Sequence, residues 1–125
     1  MFEYRRLIFL SDTDATGALY FPEQLKMVGE AFESFLLSKK FSLKDCLLPV
    51  VHVEGDYHLP LHFGDELRIE LSLGKIGTSS FTLQAQILKE GNLAGNGVLT
   101  HVAVDPKTSS SKPIPEAVLT VLRQL

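Results

Sequence analysis

The chain has 125 residues, of which 45% are hydrophobic and 22% charged, the size and composition of one soluble globular domain. A formal net charge of −3 argues against a nucleic-acid-binding protein, although 12 Lys and Arg side chains are enough for one local anion site. The lone Cys46 cannot form a disulfide within the chain, which fits a reducing compartment.

The N-terminal segment matches neither a signal peptide nor a membrane anchor. Glu3, Arg5 and Arg6 interrupt the apolar run that a signal peptide would need. No later stretch approaches the roughly 18 apolar residues of a membrane span. We therefore expect a cytoplasmic protein with one domain over residues 1–125 and with no membrane or nucleic-acid partner.

The first third of the chain predicts a strand, a turn and a long helix. Residues 2–11 are rich in Phe, Tyr, Ile and Leu and predict the strand, and DTDATG (12–17) is typical of a tight turn. Gly29 in the middle of the helix costs about 1 kcal/mol relative to Ala, so we expect the sheet backbone to pass close to it. The helix extends from Pro22 to about Lys39, because apolar residues recur there every three or four positions: Leu25, Val28, Phe32, Phe35 and Leu36.

The rest of the chain predicts mainly β-strands. Alternation of apolar and polar residues is clearest in DELRIELSL, which indicates a sheet with one buried face. The glycine-rich run GNLAGNG (91–97) lacks the spacing of a phosphate-binding loop and is interpreted as part of a hairpin. Pro115 begins a short C-terminal helix. The predicted strands are 48–59, 65–73, 80–88 and 97–105, with turns at 74–79 and 89–92 and a loop at 106–113.

This order of elements predicts an α+β fold, with an antiparallel sheet of about five strands around one long central helix. The four later strands are expected to pair in hairpin order. One helix cannot cover both faces of such a sheet, and the edge strands stay open. We therefore expect a homo-oligomer, either a dimer or a tetramer built from dimers.

Asp12 and Asp14 lie in the turn before the helix, where position alone favours turn formation or helix capping for both. The loop also matches the residue types of a calcium-binding EF-hand, but an EF-hand needs a helix before the loop, and here a strand is predicted. Calcium binding is therefore the weaker interpretation. Positions 1, 3, 5, 6 and 12 of the EF-hand pattern would be Asp12, Asp14, Thr16, Gly17 and Glu23.

The succession of an aromatic strand, DTDATG, the pair Tyr20–Phe21 and a helix resembles the 4-hydroxybenzoyl-CoA thioesterase branch of the hotdog superfamily. A second matching segment is LPVVHVEGDYHLPLHFGDEL (48–67), and the resemblance covers nearly the whole chain. Within that branch, FEYRRLIFLSDTDATGALYF and EAFESFL are most similar to the 1,4-dihydroxy-2-naphthoyl-CoA thioesterases of phylloquinone and menaquinone synthesis. The resemblance implies a hotdog fold and hydrolysis of an acyl-CoA substrate, with no cofactor and no metal.

The resemblance also implies which residues act. Asp14 is implied to be the catalytic carboxylate, either as nucleophile or as general base toward water. A backbone amide near Phe21 is implied to hold the thioester oxygen, together with a glycine amide of the facing subunit, for which Gly55 is the candidate. Free N–H groups at a helix start suit this task, because negative charge develops on that oxygen during hydrolysis.

Other residues are candidates for contacting the substrate, and each also has a structural interpretation. Glu30 lies on the solvated side of the helix by periodicity, Ser79 is a typical hairpin residue, and the lysines are typical surface residues. The general candidates for substrate contact are Gly17, Tyr20, Glu30, His52 and Ser79, of which Glu30 could point into the acyl pocket, and those for the CoA phosphates are Lys75, Lys107 and Lys112.

Several other functions compete with this prediction. A hydratase of the same fold would pair Asp14 with a histidine five residues later, where this chain has Leu19. His58 and His62 are four residues apart, but Pro60 between them keeps them off one helical face, which weakens a zinc site. A different aromatic or short- to medium-chain acyl-CoA substrate, and a non-catalytic acyl-CoA binder, remain open.

Overall fold

The computed structural model describes residues 1–44 and 46–125. The elements follow the predicted order, and neither described helix is long and apolar enough to cross a bilayer. The strands are β1 (Phe2–Leu7), β2 (Val50–Tyr57), β3 (Glu66–Ile76), β4 (Ser80–Lys89) and β5 (Asn92–Val102); the helices are α1 (Phe21–Ser38) and α2 (Glu116–Leu122). The first strand ends earlier than predicted, because a 3₁₀ turn (Leu10–Asp12) takes up its last residues.

The five strands form one antiparallel sheet in the order β1-β3-β4-β5-β2. The predicted hairpin order is right for β3, β4 and β5 but wrong for β2, which pairs with β5 and not with β3. Residues 58–65 therefore cross the sheet from the edge strand β2 to β3, which lies next to the opposite edge strand. Pro60 marks this crossover and not a hairpin turn. The two edge strands are β1 and β2.

Helix α1 packs against the sheet and contacts β1, β2, β3 and β5. Its buried residues continue the predicted apolar stripe and pack on the inward side chains of β3 and β4, such as Ile69 and Leu83. A five-stranded antiparallel sheet around one long helix confirms the predicted hotdog fold class. The buried residues of α1 are Gln24, Met27, Val28, Ala31, Phe32, Phe35 and Leu36.

The glycines of β5 are where α1 comes closest to the sheet. The prediction of a hairpin over 91–97 is wrong from Asn92 onward, since these residues belong to the strand. A Cβ at Gly95 would overlap Nε2 of Gln24, and a Cβ at Gly97 would lie 3.1 Å from Cγ2 of Val28. The expected approach of the sheet at Gly29 is also wrong, because no atom lies within 4 Å of a Cβ built there. The glycines that permit the helix to pack are therefore in the strand and not in the helix.

Candidate active site

Asp14 occupies an exposed turn directly before α1. Its Oδ1 accepts hydrogen bonds from the backbone N–H of Thr16 at 2.8 Å and from the Thr16 hydroxyl at 2.5 Å. Gly17, with φ of +83°, closes the turn by donating its N–H to the Asp14 carbonyl at 3.0 Å. The Thr16 hydrogen bonds lower the pKa of Asp14, so its carboxylate is ionised at neutral pH. No described residue donates to Oδ2, which is therefore available for chemistry.

The same turn is tied to the rest of the molecule through Asp12. This residue is 6% exposed, and its two oxygens accept from the Arg6 guanidinium at 2.6 and 3.2 Å. Arg6 also donates to Glu30 of α1 at 2.8 Å, and Tyr4 donates to Glu30 at 3.3 Å. The hydrogen bond from Arg6 is the main reason that the pKa of Asp12 is lowered. Asp12 and Glu30 therefore join the Asp14 turn to β1 and α1.

Two of these residues differ from their predicted roles. Asp12 is more than a turn former, since its carboxylate binds the largely buried Arg6 side chain. Glu30 is half-buried and paired, so it does not lie on a freely solvated face. Sequence reasoning missed Arg6, because its partners are 6 and 24 residues away and no local pattern links them.

The start of α1 offers a free backbone donor at Phe21. Tyr20 is the N-cap, Phe21 is the first helical residue, and Pro22 has no N–H. The Glu23 N–H is taken by the Tyr20 carbonyl at 2.9 Å. No acceptor for the Phe21 N–H exists among the described residues, which leaves it as the exposed donor of this turn.

Tyr57 of β2 holds this helix start. Its hydroxyl donates to the Phe21 carbonyl at 2.7 Å, and burial raises the pKa of Tyr57, which keeps the hydroxyl protonated. The loop that contains Asp14 is also tied to the start of α1, because the Tyr20 N–H donates to the Asp12 carbonyl at 2.9 Å. The Asp14 turn and the Phe21 amide are therefore two ends of one short, tightly bonded loop.

A cavity of about 320 Å³ opens beside the helix start, and its lining is mainly apolar. Gln24 is its most buried polar residue, with 2% of the residue exposed and Nε2 donating to the Asp56 carbonyl at 3.0 Å. Sequence reasoning missed Gln24 and Tyr57. The signal for Gln24 was its place four residues before Val28, on the apolar stripe of the helix. The cavity is lined by Ala18, Leu19, Phe21, Gln24, Tyr57, His58, Leu59, Pro60 and Leu61.

Gly55 and His52 lie on β2 and do not line this cavity within one chain. A Cβ at Gly55 would lie 2.6 Å from the Asn96 carbonyl oxygen and 2.9 Å from Cδ2 of Leu25. Packing alone therefore requires glycine at this position. His52 is exposed, with its Nε2 3.9 Å from the Glu54 carboxylate.

The remaining candidates lie at the other end of the sheet. Lys75 is in β3, and not in a hairpin loop as predicted, because β3 continues to Ile76. Backbone hydrogen bonds join Ser79 and Lys112 through Ala103, at 2.8 and 2.9 Å, and Lys107 is exposed in the neighbouring turn. An 11-residue strand spans roughly 35 Å, and the first residue of β3 pairs with Leu7, close to the Asp14 turn. One chain therefore does not bring the lysines near Asp14.

The geometry also bears on the calcium and zinc alternatives. A strand and a 3₁₀ turn precede the loop where an EF-hand would have a helix, and Arg6 occupies the Asp12 carboxylate. Within residues 1–44 and 46–125, no group of three or more His, Cys, Asp or Glu side chains is placed to hold a metal ion. The described loop is therefore not organised as a calcium site.

Comparison with known proteins identifies the relatives of this chain. A 1,4-dihydroxy-2-naphthoyl-CoA hydrolase of Rippkaea orientalis is 32% identical over 132 residues, covering 98% of this chain and 96% of the relative. The corresponding Synechocystis hydrolase is 32% identical over 123 residues, covering 92% and 89%.

Solved structures agree with these relatives. The crystal structure of Slr0204, a 1,4-dihydroxy-2-naphthoyl-CoA thioesterase from Synechocystis, has a TM-score of 0.91 at 31% identity, covering 99% of this chain and 96% of that one. The gentisyl-coenzyme A thioesterase BH1999 has a TM-score of 0.86 at 29% identity, covering 94% and 98%. Residues 9–122 match the Thioesterase-like superfamily. The resemblance seen in the sequence is thereby confirmed, and the chain belongs to the Thioesterase-like superfamily.

Proposed function

We propose that this protein hydrolyses an aromatic acyl-CoA thioester to the free acid and CoA. We expect 1,4-dihydroxy-2-naphthoyl-CoA to be the preferred substrate. The observation that carries the proposal is the short loop that places an ionised carboxylate at one end and a free helix-start amide at the other, beside a largely apolar cavity. The substrate is suggested by the relatives, several of which are 1,4-dihydroxy-2-naphthoyl-CoA hydrolases. No step of this reaction requires a metal or a cofactor.

The two groups have complementary tasks in the reaction. The Phe21 N–H donates to the thioester carbonyl oxygen, and the positive end of the α1 dipole stabilises the negative charge that develops there. Oδ2 of Asp14 either attacks the carbonyl carbon or removes a proton from the attacking water. The C–S bond then breaks, and CoA leaves as the thiolate. On the nucleophilic route, water next hydrolyses the mixed anhydride formed with Asp14 and restores the carboxylate, so one water is consumed on either route. A positioned acid or base contributes on the order of 10²–10⁴ in rate.

A second copy of the chain would complete this site. β2 is an open edge strand, and its apolar side chains Val50, Val51 and Val53 are 45%, 60% and 44% exposed. A groove of about 350 Å³ between β2 and α1 is lined in part by Val53 and Leu25, which adds to the uncovered apolar surface. We infer that two β2 strands pair antiparallel across a twofold axis.

This pairing explains how lysines that lie far from Asp14 in one chain could reach an active site. The Val50 end of β2 lies beside β5 at the lysine end of the sheet, whereas the Tyr57 end contacts the start of α1. Antiparallel pairing sets the Val50 end of the second copy next to the Tyr57 end of the first. Each active site would then combine Asp14 and Phe21 of one copy with the CoA-binding lysines of the other.

The test is hydrolysis by the purified full chain of three thioesters: 1,4-dihydroxy-2-naphthoyl-CoA, benzoyl-CoA and a straight-chain acyl-CoA of medium length. We expect the highest kcat/KM for the naphthoyl ester, with release of one CoA thiol per thioester cleaved. Faster hydrolysis of the straight-chain ester would contradict the aromatic assignment. Binding of all three without hydrolysis would replace the enzyme by a non-catalytic acyl-CoA binder.

A further inference from the structure

Gln24 is a buried polar residue that the proposed chemistry does not use. It lies in the first turns of α1 and is 2% exposed, among residues that otherwise form the apolar face of the helix. Burying an amide without hydrogen bonds is unfavourable, so its contacts indicate why it is there. Its only protein partner among the described residues is the Asp56 carbonyl, which accepts from Nε2 at 3.0 Å.

This hydrogen bond fixes the orientation of the side-chain amide. The Asp56 carbonyl can only accept, so the atom facing it is the nitrogen and the other terminal atom is Oε1. Gly95 leaves room for this arrangement, because a Cβ there would overlap Nε2. The amide is therefore held between α1 and β5 in one orientation.

The amide oxygen is left for a ligand. No described residue donates a hydrogen bond to Oε1, and Gln24 lines the cavity beside the helix start. Most of the other side chains on the wall are apolar, including Leu19, Leu59 and Leu61. The polar exceptions are His58 and Tyr57, whose hydroxyl already donates to the Phe21 carbonyl. A hydroxyl that entered this cavity would lose its water and would need an acceptor on the wall.

We propose that Gln24 is a specificity-determining residue, whose Oε1 accepts a hydrogen bond from a hydroxyl group on the aromatic acyl part of the thioester. The proposal rests on the proposed function and deepens it, because it selects hydroxylated rings over bare ones. Gln24 lies one turn beyond Phe21 in the same helix, so a ring attached to a carbonyl at the Phe21 N–H extends into the cavity that Gln24 lines. The residue acts on substrate choice and takes no part in bond breaking.

The first test needs no mutation. Naphthoyl-CoA esters with a hydroxyl at ring carbon 1 or 4 are compared with their methyl ethers, which keep the oxygen but cannot donate. We expect kcat/KM for at least one hydroxyl ester to exceed that of its methyl ether by roughly tenfold, the effect of losing one buried hydrogen bond. Equal rates within each of the two pairs would overturn the proposal.

The second test separates the acyl hydroxyl from other donors, such as the amides of the CoA arm. Gln24→Met removes the acceptor at similar volume, and Gln124→Met, at an exposed position of the C-terminus, is the matched control. We expect Gln24→Met to lower kcat/KM five- to tenfold for the better hydroxyl ester and to leave unsubstituted 2-naphthoyl-CoA within about twofold, while the control changes neither. An equal loss on both esters would assign Gln24 to the CoA arm or to packing and would overturn the proposal.

The two levels of failure are distinguishable. Absence of hydrolysis of every naphthoyl ester by the unmodified protein would contradict the proposed function itself. Hydrolysis without any preference for the hydroxyl would leave the thioesterase intact and would remove only the role of Gln24. Thermal unfolding of Gln24→Met checks its fold, and the methyl-ether comparison decides the question if that variant does not fold.

Discussion

The carboxylate of Asp14 owes its lowered pKa first to the Thr16 hydroxyl and then to the Thr16 backbone N–H. A group with a depressed pKa stays ionised at neutral pH, so activity that needs this carboxylate is lost only as pH falls through the depressed pKa. Thr16→Val removes the hydroxyl donor, raises the pKa of Asp14 and shifts the acid limb of kcat/KM to higher pH.

The pH profile from about pH 3 to pH 8 measures that shift. Thr13→Val is the matched control, because the Thr13 hydroxyl donates to the Leu10 carbonyl at 2.6 Å and does not contact Asp14. An acid limb that stays in place in Thr16→Val would show that another group controls it.

The ion pair between Asp12 and Arg6 contributes to the stability of the fold. Asp12→Asn leaves the largely buried Arg6 with only Glu30 as a charged partner, and we expect the free energy of unfolding to fall by about 3 kcal/mol. Since the pKa of Asp12 is depressed in the fold, its contribution is present at neutral pH and is lost as pH falls through that pKa. Urea denaturation at neutral pH measures the change.

Glu3→Gln is the control for Asp12→Asn. The Glu3 carboxylate pairs with Arg5 at 3.0 Å, but both side chains are well exposed, so we expect a loss of less than about 1 kcal/mol. Similar losses in the two variants would mean that the Arg6–Asp12 pair does not hold the loop.

At the scale of elements, the periodicity of α1 and of β3 was readable from the sequence because each buries one face. The sequence predicts a turn at the glycines of β5, and this prediction is wrong. In sequence, a glycine that is needed for close packing of a helix looks the same as a glycine that is needed for a turn. Only the packed structure distinguishes the two, through the side chains of Gln24 and Val28 that face Gly95 and Gly97.

The contacts at Gly55 and Gly97 predict different stability losses when each glycine is replaced by alanine. The Cβ of Gly55→Ala would meet a backbone oxygen at 2.6 Å, whereas that of Gly97→Ala would meet only side-chain ends, at 3.1 and 3.2 Å. The backbone can shift less than the ends of side chains. We therefore expect Gly55→Ala to lower the free energy of unfolding by about 1–3 kcal/mol and Gly97→Ala to lower it by less. Chemical denaturation of both variants measures the order, and the reverse order would contradict the packing described for β2.

At the scale of the whole molecule, the sequence predicted the order of elements but not the crossover of residues 58–65, because pairing of distant strands leaves no local pattern. The Asp14 loop was found through its resemblance to known thioesterases, since its position alone favoured a turn former. Arg6, Gln24 and Tyr57 escaped detection because their partners are distant in the chain.

The proposed dimer predicts that two inactive variants complement each other when they form a mixed dimer. One chain carries Asp14→Asn, and the other carries Lys75→Ala and Lys107→Ala. A mixed dimer would contain one site with both defects and one site with none, so refolding the two chains together restores activity that neither has alone. If the carboxylate and the lysines served one site within the same chain, every site of the mixture would keep one defect and no activity would return.

The catalytic role of Asp14 is tested by the turnover of Asp14→Asn on the best naphthoyl ester, beside Glu116→Gln, which removes an exposed carboxylate of α2. We expect Asp14→Asn to fold normally, to bind the thioester and to lose at least about a hundredfold in kcat, while Glu116→Gln stays unchanged. Near-normal turnover in a correctly folded Asp14→Asn would contradict the assignment of Asp14 as the catalytic carboxylate.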